Sequence, residues 1–155
     1  MGWEPLGRAP TDPRQLASYV DAQLMELSQQ LEESYRPLWP IWAEEAAALG
    51  TNAYEWAFGN GADTASGLGI VIPFRCGLVA LSLSLAGGSA RAKVEVEKDG
   101  AIEADYAIDL TASNQGFQEF PLPLVFHPGS VLNFRTVSNT GTATSNVICA
   151  WMRLE

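Results

Sequence analysis

The side chains able to do chemistry are few and scattered. The single histidine, His127, stands in Phe126-His127-Pro128-Gly129, a turn signal ahead of an apolar segment. Nucleophilic catalysis would need a serine or cysteine and an orienting acid within its reach, and the chain has no nucleophile-elbow motif. A structural zinc ion needs three or four ligands at short spacing, which one histidine and the distant Cys76 and Cys149 do not supply. Glu95, Glu97, Asp99, Glu103, Asp105 and Asp109 form the densest charge cluster. Paired carboxylates serve glycoside hydrolysis or calcium binding, but alternation along a hairpin puts most of these toward water, where they keep an edge soluble. The expectation is a non-enzymatic protein with no catalytic residue, no cofactor and no metal ion.

Tyr54, Trp56 and Phe58 alternate, as on one face of a strand. Such a row could stack on sugar rings, which makes these three the candidate glycan contacts. In a β-sandwich it more often belongs to the core or to a subunit contact. The glycine-rich segments Gly59-Asn60-Gly61, Gly87-Gly88 and Asn139-Thr140-Gly141 are turn chemistry, since none leads into a helix as a phosphate loop would.

The 155 residues carry 9 basic and 18 acidic side chains, a net charge of −9. Nine dispersed cations cannot build a phosphate-binding patch, so no nucleic-acid partner is expected. The N-terminal segment does not read as a secretory leader or a myristoylation signal. The most apolar run, 68–85, is broken by Pro73, Arg75 and alternating serines, so no membrane insertion is expected. Cys76 and Cys149 lie in apolar strand-like segments, which suits buried thiols better than a disulfide framework.

These residues must be placed by three regions of different period. Residues 1–10, with Gly2, Pro5, Gly7 and Pro10 around Trp3 and Leu6, read as an extended arm. Thr11-Asp12-Pro13 starts a helix that should run to about Ser34, ahead of Pro37 and Pro40. Ala17, Val20, Leu24, Leu27 and Leu31 recur at spacings of three and four, the seam of a coiled coil, and the lack of β-branched residues at its a positions favours three or more strands over two; an amphipathic helix lying on its own domain is the alternative reading. The seam is under three heptads, so association needs help from the following domain. A second short helix is expected over 41–49, completing a helical stem and linker at 11–50. From 51 to 155 the period falls to two, with strand-like segments near 53–58, 68–75, 78–85, 90–97, 101–109, 117–125, 131–138 and 145–154. The fold class is therefore mainly β: an arm and a short oligomerising helix, then an antiparallel β-sandwich of jelly-roll type.

One hairpin can be worked out in register. A three-residue loop Lys98-Asp99-Gly100 sets Val96 against Ile102, Val94 against Ala104 and Ala92 against Tyr106, all apolar. A two-residue Asp99-Gly100 loop would set Val96 against Glu103, so the longer loop is expected.

The arm, the helix start at Pro10-Thr11-Asp12-Pro13, the short helix and a Gly/Ser/Thr/Asn-rich β-domain ending in two apolar strands, 127–135 (HPGSVLNFR) and 145–154 (SNVICAWMRL), together resemble tailed-bacteriophage virion appendage proteins: head fibres, decoration proteins and short tail-fibre subunits with a jelly-roll tip. The resemblance implies a virion component assembled in the bacterial host cytoplasm. It implies a homo-oligomer, a trimer before other numbers, docked on a capsid or tail protein through Trp3 and Leu6. The exposed fibre or spike would attach to host-surface glycan. A capsid cement protein and a stand-alone carbohydrate-binding module are the alternatives.

Overall fold

The computed structural model describes residues 12–34, 37–59, 65, 67–86, 89–141 and 145–155. Trp3 and Leu6, assigned to particle docking, lie outside the described residues. The chain divides into two compact units, 1–37 and 38–155.

Among the described residues of the first unit one helix, α1, spans Pro13–Ser34. The Asp12 carbonyl accepts the Gln15 and Leu16 amides at 3.0 and 2.9 Å, which closes the first turn around a proline that has no N–H to satisfy. Ala17 lies within the helix, and Val20, Leu24, Leu27 and Leu31 are exposed, with Leu24 at 59%.

The second unit is an eight-stranded sandwich. Its strands are β1 (Leu38–Glu45), β2 (Ile70–Val71), β3 (Cys76–Leu85), β4 (Arg91–Lys98), β5 (Ala101–Leu110), β6 (Gln115–Phe126), β7 (Val131–Thr140) and β8 (Asn146–Leu154). They form two four-stranded sheets, β1-β8-β3-β6 and β2-β7-β4-β5, and every named pairing is antiparallel. β4 pairs with β5, β3 with β6, β2 with β7 and β1 with β8, a nested order in which one long hairpin is wrapped into a jelly roll.

Strand period decides which side chains meet between the sheets. Ile41, Ala43, Leu78, Leu81, Leu83, Ile148, Ala150 and Met152 of the first sheet are buried in one core cluster with Val94, Val96, Ile108, Leu132 and Phe134 of the second.

Two expectations are corrected. Residues 41–49 are not helical. Their first half belongs to β1, where Ile41, Ala43 and Glu45 turn inward and the residues between them turn outward, so the β-domain starts at Leu38 rather than at 51. Alanines after Glu45 favour a helix locally, but burial of the alternate residues 41 and 43 prevails. Pro40 is tolerated because β1 is an edge strand of its sheet. Residues 53–58 are not a named strand either. Ala53 and Ala57 make isolated bridges to Thr136 and Glu44.

The hairpin differs as well. Lys98 stands opposite Ala101, so the loop is the two-residue Asp99-Gly100, with φ of 53° and 83°. Positive φ at both positions matches the twist of the flanking strands. Val96 does face Glu103, and a register shift between Glu95 and Val96 then restores apolar pairing further along: Val94 faces Ile108 and Ala92 faces Leu110. The bulge, rather than a longer loop, reconciles side-chain period with turn geometry.

Candidate interaction surface

Trp56 is fully buried and its indole N–H donates to Thr136 Oγ1 at 3.0 Å. Phe58 stacks on Phe134 with ring centroids 5.5 Å apart, and Tyr54 is half-buried. Trp56 and Phe58 therefore pack with the core, and Trp56 as a glycan contact is corrected: no sugar ring reaches a side chain enclosed between the sheets. His127 is exposed in the turn between β6 and β7, where its amide donates to Ser130 Oγ at 3.3 Å.

The acidic cluster is also divided. Asp99, Asp105 and Asp109 are exposed, but Glu95 and Glu97 are buried, Glu97 at 1%. The Gly67 amide donates to Glu97 Oε1 at 2.6 Å, and Asn133 donates to the Ala65 carbonyl at 3.0 Å, so Ala65 and Gly67 are tied to the two interior strands β4 and β7. Lys93 bonds Glu95 at 2.9 Å, and that hydrogen bond holds the lysine above its ordinary pKa. Among the described residues no group of three or more His, Cys, Asp or Glu is placed to hold a metal ion.

The outer face of β1-β8-β3-β6 has the opposite character. Register sets its outward residues in rows across the sheet: Pro40, Trp151, Ala80 and Glu119, then Trp42, Cys149, Ser82 and Phe117. The second row has no charge. Trp42 is 59% exposed at one edge and Phe117 58% exposed at the other. Trp151 is tied down by its indole N–H donating to Ser82 Oγ at 3.2 Å.

A cavity of about 400 Å³ opens on this face beside Trp151 and Phe117, with Leu38, Val79 and Phe120 among its walls and Glu119 and Arg153 as its charged groups. Its origin is a bulge. β3 advances from Leu78 to Ala80 while the partner strand advances from Leu124 back to Glu119, which leaves 120–123 out of the ladder. Pro121 and Pro123 offer no N–H to β3, so looping out sacrifices little pairing. Phe120 leans edge-on to Tyr106 at 5.0 Å, and the Tyr106 hydroxyl donates to the Leu122 carbonyl at 3.2 Å. Gly77 lets this segment close down, because a Cβ there would lie 2.7 Å from Pro123 Cβ. The Arg153 Nε is buried and has no hydrogen-bond partner among the described residues.

No family model matches the chain, and no curated protein matches it. Among the described residues no helix is long and apolar enough to cross a membrane.

Cys76 faces the core and Cys149 the outer face of the same sheet, and both are free thiols. Burial pushes both above the ordinary thiol value. The Glu155 charge adds to the shift at Cys76, and a hydrogen bond with Ser82 partly offsets it at Cys149.

Reading 41–49 as a helix hid this face, because Trp42 then has no place in a sheet. A signal was present in Val147-Ile148-Cys149-Ala150-Trp151-Met152, which is apolar in both strand phases. A strand of that composition is at home where both of its faces are covered.

Proposed function

We propose that this chain is a non-enzymatic structural subunit whose copies assemble through α1 into the stem of a fibre or spike on a phage-like virion, with the jelly roll as the outward tip that attaches to host-surface glycan. The single observation that carries this reading is the helical seam. Val20, Leu24, Leu27 and Leu31 lie on one helix with their apolar side chains exposed, and helices in proteins draw most of their stability from packing such a face rather than from propensity. A trimer is the favoured number and a capsid or tail protein the favoured anchor, through the arm that carries Trp3 and Leu6. Light scattering on the full chain is expected to give a multiple of 16.7 kDa that Leu24→Glu with Leu27→Glu reduces. A single-chain mass at high concentration would refute the reading. Deleting residues 2–10 should leave the assembly intact but abolish its incorporation into particles.

A second reading, a carbohydrate-binding module, is favoured by the aromatic-walled cavity beside Trp151. A sugar array would then show saturable binding that Trp151→Ala removes.

A further inference from the structure

We infer that the outer face of the β1-β8-β3-β6 sheet is a subunit interface, covered in the assembled protein by further copies of this chain. The inference rests on the proposed helical assembly and adds a second contact to it, one made by the β-domain itself.

Three observations converge on this occupant. The first is chain continuity. α1 ends at Ser34 and the face begins at Leu38, the first residue of β1. Four peptide units reach at most about 14 Å. Helices packed in a bundle have axes about 8–10 Å apart. Every copy would therefore start β1, an edge strand with Leu38, Pro40 and Trp42 turned outward, within short reach of the bundle. A tether of that length holds the faces at an effective concentration in the millimolar range.

The second is composition. The row Trp42, Cys149, Ser82, Phe117 crosses all four strands without a charge, whereas the outer face of the opposite sheet carries Lys93, Asp109 and Arg135. Two chains of net charge −9 repel, so they can approach closely only through a face that carries little of that charge. Large side chains at the two edges and small ones between suit a ring in which the Trp42 edge of one copy meets the Phe117 edge of the next.

The third is polar complementarity. Arg153 borders the cavity with its buried Nε unpartnered, and the same face presents the carboxylates Glu44 and Glu119. The face therefore carries both signs of charge, as a surface that meets copies of itself requires.

The test is hydroxyl-radical footprinting of the full chain, read by mass spectrometry beside light scattering. Trp42 and Phe117 are expected to oxidise at least about fivefold more slowly in the wild-type assembly than in Leu24→Glu with Leu27→Glu, which breaks the seam and leaves the face unaltered. Trp42→Glu with Phe117→Glu is expected to weaken association about 30-fold or more, the effect of losing a central aromatic contact. Both side chains are more than half exposed, so circular dichroism should show the sandwich intact. If that variant fails to fold, the wild-type footprint alone decides. A multimer in which Trp42 and Phe117 oxidise as fast as in the seam variant would overturn the interface while leaving the helical assembly standing. Protection that appears only on adding a glycan, with no change in mass, would overturn it in favour of a ligand. A single-chain wild-type mass would overturn the helical assembly itself.

Discussion

The Trp56 indole N–H ends on the Thr136 hydroxyl, 3.0 Å away, inside the sandwich. Ala53 also exchanges both backbone hydrogen bonds with Thr136, at 2.9 and 3.1 Å, so one residue of β7 holds both Ala53 and Trp56. Thr136→Val keeps the shape and the backbone bonds but leaves the indole N–H unpaired. Urea unfolding should show a loss of about 1–3 kcal/mol. Trp56→Ala should cost about 3–5 kcal/mol through the cavity it leaves. Neither substitution should change binding on a sugar array, since Trp56 faces no solvent.

The Asp99-Gly100 turn gives a second prediction. Gly100 has φ of 83°, so Gly100→Ala should destabilise by about 1–2 kcal/mol. Asp99 also adopts positive φ, and its Oδ1 accepts the Val131 amide at 2.7 Å. Asparagine suits that backbone and keeps the acceptor, so Asp99→Asn should stay within about 0.5 kcal/mol of wild type in the same unfolding assay.

Much of this architecture was legible in the residues, and the exceptions share a cause. The extent of α1 followed from Thr11-Asp12-Pro13 and from Pro37, and the sandwich from period-two segments divided by turn residues. β1 was missed because its alternation, Ile41 and Ala43 against Trp42 and Glu44, is no stronger than the local helix preference of the alanines that follow. Only its distant partner β8 makes it a strand. The hairpin register failed because a bulge beyond Glu95 does what a longer loop would have done. The cavity was beyond reach for a similar reason: Pro121 and Pro123 signal interrupted pairing, but which strand they interrupt depends on β3 lying alongside.

Gly77 supplies a third prediction, tied to that cavity. An added methyl would press on the Pro123 ring from 2.7 Å. Gly77→Ala should therefore cost about 1–3 kcal/mol of overpacking and displace the 120–123 segment. Hydrogen exchange should report faster opening around Leu124 and Phe126, with little change in β4 and β5.

The thiols predict a pH dependence. Burial raises both pKa values, so the folded state holds the thiol protons more tightly than the unfolded chain does. The folded protein then binds more protons than the unfolded one once pH exceeds about 9, the ordinary thiol value. Stability from this source is complete below that pH and is lost as pH rises further, through the raised folded values. Chemical unfolding between pH 8 and 11 should show the decline, and Cys76→Ala should flatten part of it. In Leu24→Glu with Leu27→Glu, which leaves the outer face open, iodoacetamide should modify Cys149 before Cys76, and the unfolded chain faster than either.

The closure of β8 between β1 and β3 also bears on how the polypeptide matures on the ribosome. Leu38 is synthesised before every other strand of the sandwich, its ladder partner Arg153 only after all of them have begun, and β3 waits for the same strand. The middle hairpins can form while translation continues. The sheet that displays Trp42 cannot close until β8 has emerged, so the apolar face stays unformed while the strands before it are being made.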